Sequence, residues 1–449
     1  MLVKRTDNED RRFLVVVLLI GLALRLFWLF EVGGSLVRTY GSAEASRVAL
    51  AIAQGRGIAD AYYPGYGPTA HMMPVSPAIA GFLLWLLGPQ TAASNLALLG
   101  WCLVQVGIGI LLLRLLFQSL GADRVTTRWG AGLLALGMPF VTQETIDFRY
   151  WDGAAALCLA ATNLLLISRA ERQPPRDWGQ FAGIAALAAV TMFVSPPVGL
   201  ATGLCWTIFA LRQLDFRRCM RLGVLTAAAL ALVFTPWAVR NARTFGEPVL
   251  MRSNFGLELA IANHPRALSG EPAEVVHARR LAEVHPYQVS SGGPHLIGPA
   301  GEVAYSHALA ARTWRWIAAN PASFAILYGR HLREFFFPDA WEMYFSGWPA
   351  MAAARTNFMS LVDLLGLIGL GAGLYRRRRS YWLLAVFVGA LSFPYGLFEP
   401  TTSHIYPAYG LFAFLAVEAV TGLAAAGRRK FRSSVELSGG EMEQAQVGG

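Results

Sequence analysis

Two short stretches of the chain carry residue types that bind phosphate and position a substrate. Arg240 and Asn241 stand at the end of an apolar run, and Arg252, Asn254 and Glu258 follow shortly after it. A guanidinium presents a planar fork of N–H donors that suits a phosphate. The grouping predicts a site at a membrane surface that binds a lipid phosphate or a substrate. The alternative is that the arginines only snorkel from a helix end.

Glu44 is the first candidate for proton transfer. It opens a short amphipathic stretch, residues 43–53, and a carboxylate within reach of a hydroxyl can act as a general base. The alternative is a first-turn carboxylate paired with Arg47. Carboxylates and histidines also bind Mg²⁺, Mn²⁺ or Zn²⁺, so a divalent metal is possible, but no spacing requires one. The sequence contains no Walker loop, HExxH or GxSxG motif.

Asp152, His404 and Arg330 complete the candidate set. Asp152 ends a linker that holds three carboxylates between two apolar runs, and its alternative role is to cap a helix beginning at Gly153. His404 precedes the last apolar run. Arg330 opens a basic and aromatic group, residues 330–337, and is a candidate for binding the donor phosphate or the substrate. The alternative is that this group anchors the chain at the membrane interface.

The elements that must position these residues are membrane helices. Of the 449 residues 55% are hydrophobic and only 15% are charged, and several apolar runs reach the roughly 20 residues that a bilayer requires. The runs are continuous rather than alternating, which predicts helices and not a barrel. The net charge of +10 and the 13 Trp fit cytoplasmic loops and interfaces, so we expect no nucleic-acid partner. Four cysteines form no metal or disulfide pattern.

The basic clusters set the predicted topology of about ten spans. Every cluster falls on one side, which the positive-inside rule makes cytoplasmic together with both termini. Ser76–Leu87 is too short to cross and is expected to lie at the outer interface. Four polar segments then share the outer face: residues 31–76, 142–152, 240–355 and 395–407.

The predicted topology divides the chain into four parts. We expect an N-terminal transmembrane module with catalytic outer loops, an extracytoplasmic domain, a C-terminal group of transmembrane helices and a disordered cytoplasmic tail. Their bounds are 1–239, 240–355, 356–432 and 433–449.

Several of these motifs together resemble a known family. The most specific pair is Pro236–Trp237 with Arg240–Asn241, followed by residues 252–258, which read RSNFGLE. Weaker matches are Glu44 with residues 48–57, Gly301–Tyr305, Asn320–Pro321 and Ile405–Pro407. In these the chain resembles the bacterial branch of the protein O-mannosyltransferase-like enzymes, GT-C glycosyltransferases of family 39.

The resemblance implies a fold and a reaction. The fold would be an all-α polytopic membrane protein of the GT-C type with an interfacial first outer loop. Such enzymes move a hexose or pentose from a polyprenyl-phosphate donor to a protein, lipid or glycan at the outer face of the bacterial inner membrane, with inversion. Glu44 matches the general base, Asp152 a second acidic position that organises the site or a metal, and Arg240, Arg252 and His404 would stabilise the leaving phosphate.

Two other classes of function fit part of the sequence. A transporter or flippase for an amphipathic lipid would place its charged residues at the bilayer midplane, often in repeated halves. Here the polar residues fall at the predicted surface, and no half-repeat is visible. A non-catalytic member of the same fold, acting as a binding or assembly protein, would tolerate changes at Glu44, Asp152 and Arg240.

Overall fold

The computed structural model describes residues 2–31, 44–89, 91–287, 294–298, 300–345 and 348–424. Part of the predicted first outer loop, residues 32–43, and the predicted disordered tail, residues 433–449, lie outside them. Within the described ranges the long elements are all helices, and β-structure is limited to one isolated bridge between Ala59 and Pro68. The prediction of an all-α polytopic membrane protein is confirmed.

Nineteen α-helices are described. In chain order they are α1 Leu2–Glu31, α2 Glu44–Ala53, α3 Val75–Leu87, α4 Ala92–Ser119, α5 Arg124–Leu136, α6 Val141–Thr145, α7 Gly153–Ala170, α8 Trp178–Val194, α9 Pro196–Gln213, α10 Phe216–Phe245, α11 Phe255–Ala262, α12 Ala273–Val284, α13 Pro294–Ile297, α14 Gly301–Ala319, α15 Pro321–Phe336, α16 Glu342–Phe345, α17 Ala352–Tyr375, α18 Tyr381–Ser392 and α19 Tyr406–Ala424. Of these, α1, α4, α7, α10, α17 and α19 are long and apolar enough to cross a membrane. Shorter apolar helices such as α3, α8 and α18 pack beside them.

Aspartates fix the starts of three helices at one end of the bundle. The side chains of Asp123, Asp177 and Asp215 accept hydrogen bonds from backbone N–H groups in the first turns of α5, α8 and α10. Such caps satisfy donors that have no partner inside the helix. Each of these helices therefore begins where the sequence supplies a short acidic side chain after a polar turn.

The arginine-rich turns meet at this same end, which we name the basic face. Arg379 donates to the backbone carbonyl of Glu171 at 2.7 Å, and the Trp382 indole donates to the Glu171 carboxylate at 2.9 Å. Arg124 pairs with Asp10 of α1 at 2.8 Å. The start of α1 is thereby held to the start of α5. The end of α7 is held to the turn that follows α17.

A buried ion pair ties the helices together at the opposite end, the site face. The Arg25 guanidinium lies 2.5 Å from the Glu144 carboxylate, and both side chains are almost completely buried. The Tyr406 hydroxyl donates to the same carboxylate at 2.6 Å, and Arg25 also donates to the carbonyl of Ala135. A side chain on Gly137, whose φ is +60°, would collide with that guanidinium. The pair therefore joins α1, α6 and α19.

Arg355 fixes the linker that leads to Asp152. Its fully buried guanidinium donates to the carbonyl of Pro139 at 2.6 Å and to the Thr142 hydroxyl at 2.7 Å. The Gln143 amide in turn donates to the Thr402 hydroxyl at 2.7 Å. The linker is thus bonded to α17 and to the turn before α19, which gives Asp152 a fixed place.

The segment 240–355 packs on the first outer loop instead of standing apart from it. Its helix α11 lies so close to α14 that a Cβ on Gly256 would overlap the backbone carbonyl of Ser306. Tyr62 of the first outer loop shares a buried apolar cluster with Leu257 and Ile261 of this segment. The helix α10 also continues five residues past position 240 and ends before Gly246, whose φ of +82° suits a C-terminal cap. The bounds of a separate domain stay a prediction.

Candidate active site

Glu44 lies between two histidines that the sequence analysis did not single out. At the start of α2, its carboxylate approaches Nε2 of His71 at 3.1 Å and Nε2 of His285 at 3.3 Å. The proposed local partner, Arg47, donates to the carbonyl of Ala61 at 2.9 Å, and its charge also acts on Glu44. The carboxylate is therefore held by contacts with residues distant in the sequence as well as by its own helix.

These imidazoles control the ionisation of Glu44. Burial alone would raise the pKa of Glu44, but the charge and hydrogen bond of His71, with smaller contributions from His285, lower it to about 2. Burial opposes protonation of His71 too, yet the neighbouring carboxylate raises its pKa. Burial lowers the pKa of His285 to about 4, so this ring is neutral near pH 7. Glu44 is ionised, and it pairs with an imidazole whose pKa is raised.

The buried carboxylate of Glu302 holds two active-site loops together. It accepts hydrogen bonds from the Thr69 hydroxyl at 2.8 Å, the Ala70 backbone N–H at 2.5 Å and the Ser253 hydroxyl at 2.8 Å. The backbone N–H of Ser253 also donates to the carbonyl of Ala70 at 2.9 Å. The loop that carries His71 is consequently fixed to the loop that carries Arg252.

Arg240 and Asn241 are occupied by backbone groups. The Arg240 guanidinium donates to the carbonyls of Thr69 and Ile58, each at 2.8 Å, and lies 5.2 Å over the Trp237 ring. The buried Asn241 amide donates to the carbonyl of Val249 at 2.7 Å. Arg240 therefore holds the first outer loop in place, and Asn241 holds the turn after α10. Three N–H donors of Arg240 are used within the protein in this way, and a direct contact of either side chain with a phosphate stays a prediction.

Arg252, in contrast, keeps its donors. Its terminal nitrogen lies 3.9 Å from the Asp152 carboxylate, and its buried Nε has no hydrogen-bond partner among the described residues. The guanidinium lies 5.9 Å from the Trp151 ring and is 30% exposed. Together with Met72 and Tyr150 these residues line a cavity of about 10 Å³, room for about one water molecule. Arg252 therefore has an N–H donor that is not used by other groups of the described residues.

Asp152 does not cap α7. Its backbone has φ −80° and ψ −1°, and its side chain makes no capping hydrogen bond. A capping residue normally has extended backbone, which aims its side chain at the first free N–H groups. The capping alternative is therefore excluded, and the carboxylate is left facing Arg252.

Glu258 and Asn254 adjoin the same group. The Asn254 amide donates to the Glu258 carboxylate at 2.9 Å. Burial raises the pKa of Glu258, and the charges of His71, Glu44 and Arg252 all act on it. The geometric link between Glu44 and Arg252 is the loop of His71 and Met72, because His71 pairs with Glu44 while Met72 lines the cavity that Asp152 and Arg252 also line.

His404 provides a neutral donor. Its ring stacks on Tyr395 with centroids 4.4 Å apart, and its Nδ1 accepts the backbone N–H of Thr401 at 3.0 Å. Burial, with a further contribution from the charge of Arg252, lowers the pKa of His404 to about 3. With Nδ1 acting as an acceptor, the proton of the neutral ring is on Nε2. His404 can therefore offer an N–H donor but no positive charge.

Arg330 belongs to a different group. It donates to the carbonyl of Ala267 at 2.7 Å and lies 3.6 Å from the Glu334 carboxylate. The nearby His331 donates through Nδ1 to the carbonyl of Gly396. These contacts join α15 to neighbouring turns and do not bring Arg330 to Glu44 or Arg252. The predicted substrate-binding role of Arg330 has no support in its contacts.

The candidate ligands for a divalent metal are the carboxylate and imidazole groups around Glu44. In the described ranges no three His, Cys, Asp or Glu side chains are arranged to hold an ion. Glu44, His71 and His285 have suitable chemistry, and their nitrogen and oxygen atoms lie 3.1 and 3.3 Å apart, as in direct hydrogen bonds.

The fold has counterparts among solved structures. No protein-family model matches the sequence, and no curated protein matches it. The archaeal oligosaccharyltransferase AglB of Archaeoglobus fulgidus, solved with an inhibitory peptide and a dolichol-phosphate, is similar with a TM-score of 0.54 at 16% identity, covering 96% of this chain and 52% of that one. The apo form of the Archaeoglobus fulgidus oligosaccharyltransferase gives 0.53 at 17% identity, over 94% and 52%. The chain spans about half the length of that oligosaccharyltransferase.

The structure of ArnT from Cupriavidus metallidurans bound to undecaprenyl phosphate is less similar. Its TM-score is 0.37 at 14% identity, covering 92% of this chain and 78% of that one. The likeness to the oligosaccharyltransferase shows that the fold is of the GT-C type. Membership of family 39 stays a prediction.

Proposed function

We propose that this chain is a membrane glycosyltransferase that moves a sugar from a polyprenyl-phosphate carrier to an acceptor at the site face. The observation that carries the proposal is the placement of His71, which pairs with the carboxylate of Glu44, directly before Met72, which lines one cavity with Arg252 and its unpartnered Nε. Such an arrangement provides a proton acceptor and an anion site in one place. The fold, shared with an enzyme solved with dolichol-phosphate, supports the same class of donor.

The reaction follows from these two roles. An acceptor O–H or N–H group attacks the anomeric carbon, and the carbon–oxygen bond to the phosphate breaks as the new bond forms. The electron pair leaves with the carrier phosphate, and the acceptor's proton passes to Glu44. A single displacement of this kind inverts the anomeric centre. The departing phosphate gains charge, and Arg252 with the Nε2–H of His404 would stabilise it.

We also propose that the site face is extracytoplasmic. The basic face carries the arginines of the turns after α7, α9 and α17, and such residues favour cytoplasmic loops. Both chain termini then belong to the cytoplasmic side, and the carrier lipid presents its phosphate in the opposite leaflet. In this arrangement residues 240–355 and the first outer loop act as one substrate-binding unit over the membrane helices.

The role of His71 predicts a change in pH dependence. Glu44 must be ionised to accept a proton, and with a pKa of about 2 it stays ionised at every ordinary pH. In His71→Gln the lowering effect of the imidazole is lost while burial still raises the pKa. We expect the acidic limb of the pH–rate profile to move upward by roughly 1–3 units, the usual effect of one close charge.

The measurement is kcat/KM for sugar transfer between pH 3 and 8 in proteoliposomes, a range that the acidic limb of His71→Gln should enter while the limb of wild type stays below it. His307→Gln is the matched control, because His307 is 67% exposed and lies 3.8 Å from the exposed Glu247. A rate for His71→Gln that stays as constant toward pH 3 as that of wild type would show that His71 does not set the ionisation of the base.

The phosphate role of Arg252 is tested by Arg252→Gln. We expect transfer from a polyprenyl-phosphate sugar to fall by about 10²–10³-fold, the typical effect of removing one transition-state donor. Arg243→Gln is the control, because Arg243 is an exposed arginine on α10. The assay follows release of polyprenyl phosphate in proteoliposomes.

The same vesicles separate the proposal from lipid transport. Movement of a labelled lipid-linked sugar between leaflets without transfer would favour a transporter. Full transfer activity in Arg252→Gln would remove Arg252 from the phosphate site.

A further inference from the structure

A second polar cavity lies on the basic face, at the far end of the bundle from the candidate active site. Its volume is about 210 Å³, well over ten times the roughly 10–15 Å³ that one water needs. It is formed by the start of α5, the turn between α17 and α18 and the end of α19. Nothing in the proposed transfer reaction uses it.

Two of its four charged residues neutralise each other. Arg378 forms an ion pair with Glu418, and the Tyr381 hydroxyl donates to the other oxygen of that carboxylate at 2.5 Å. The remaining two are Arg376 and Asp123. The Arg376 side chain makes no ion pair or hydrogen bond in the described part of the chain. One oxygen of Asp123 accepts the Thr126 backbone N–H at 2.7 Å, and its charge is not balanced by a cation there.

Among the described residues, the wall of the cavity thus carries one cation and one anion without a counter-charge. A ligand with a single charge would leave one of them unmatched, whereas a ligand carrying both signs would satisfy both. We propose that this cavity binds a zwitterionic phosphoethanolamine headgroup, with its phosphate on Arg376 and its ammonium on Asp123. The hydroxyls of Thr126 and Thr421 also line the cavity and can bond the phosphate oxygens.

The source of the headgroup is a phospholipid of the adjoining leaflet. The cavity lies where two membrane-crossing helices, α17 and α19, end, and polar pockets at such ends are typical sites for lipid headgroups. The flanking Arg377 and Arg379 continue the basic surface toward the membrane interface. A phosphatidylethanolamine would place its acyl chains along the apolar helices while its headgroup fills the cavity.

The test is native mass spectrometry of the full chain after exchange into vesicles of equal phosphatidylethanolamine, phosphatidylglycerol and phosphatidylcholine. We expect wild type to retain phosphatidylethanolamine preferentially, and Arg376→Gln to retain roughly tenfold less, since a charge-assisted contact is lost. Asp123→Asn keeps a good helix cap but removes the charge, so it should lose the preference for phosphatidylethanolamine over phosphatidylglycerol. Arg217→Gln, an exposed arginine of the same face, should behave as wild type.

Several outcomes overturn the proposal. Equal retention of the three lipids by wild type would remove the headgroup preference. Undiminished phosphatidylethanolamine in Arg376→Gln, with thermal melting confirming that the variant is folded, would remove Arg376. Binding of millimolar free O-phosphoethanolamine, lost in Arg376→Gln, together with no preferential retention of any lipid, would assign the cavity to a soluble ligand instead of a membrane lipid. None of these lipid-binding measurements requires sugar transfer. Their outcome is therefore independent of the proposed reaction.

Discussion

Replacing Glu44 with glutamine will lower sugar transfer by roughly 10²–10⁴-fold, the range that a positioned general base contributes. The amide has nearly the same shape as the carboxylate but cannot accept the acceptor's proton. Its contacts with His71 and His285, now at 3.1 and 3.3 Å, need little rearrangement. Initial rates of polyprenyl-phosphate release in proteoliposomes measure the effect.

Two further variants make the Glu44 result specific. Glu44→Asp keeps the charge but has a side chain that is shorter by one methylene group. Its rate should therefore lie between those of wild type and Glu44→Gln. Glu247→Gln, at a carboxylate that is 45% exposed, should leave the rate unchanged. A rate for Glu44→Gln close to that of wild type would mean that another group, or the substrate itself, takes the proton.

Removing Glu144 will destabilise the fold by about 3–5 kcal/mol, the cost of leaving one partner of a buried ion pair without its counter-charge. Arg25 and Glu144 are 4% and 0% exposed, so the Arg25 guanidinium of Glu144→Ala cannot turn to water. The Tyr406 hydroxyl loses its acceptor in the same variant. The measurement is the free energy of unfolding of the purified protein in detergent, from denaturant titration.

Comparison with a surface pair gives this prediction its control. Arg266 and Glu283 pair at 2.6 Å but are 56% and 40% exposed, so Glu283→Ala should cost about 0–1 kcal/mol. The double variant Arg25→Met with Glu144→Leu removes both charges together and should recover much of the loss. A loss in Glu144→Ala no larger than that in Glu283→Ala would show that the buried pair does not hold α1 to α6.

The candidate site was predictable only where its residues are close in sequence. Arg252, Asn254 and Glu258 were recognised together because they lie within seven positions of each other. His71 and His285 were missed because their partner, Glu44, lies far from both in the chain, and nothing around an isolated histidine indicates such a contact. The free donors of Arg252 and the occupied donors of Arg240 also depend on distant backbone carbonyls.

The fold was predictable to the extent that it depends on local patterns. Continuous apolar runs determine the helices, and Asp123, Asp177 and Asp215 begin three of them through contacts three residues away. Glu144 was read as part of a polar linker, since its burial becomes evident only when Arg25 is placed beside it. The 240–355 segment was expected to be separate because its polarity is visible in the sequence, whereas its packing on Tyr62 is not.

The central claim is that Arg252 receives the phosphate of a polyprenyl carrier in the same site as Glu44. The most direct test is native mass spectrometry of purified wild type, Arg252→Gln and Arg243→Gln after incubation with polyprenyl phosphate. Retention by wild type and Arg243→Gln, with at least a roughly tenfold loss in Arg252→Gln, is the predicted result. Equal retention by Arg252→Gln, or no retention by wild type, would contradict it.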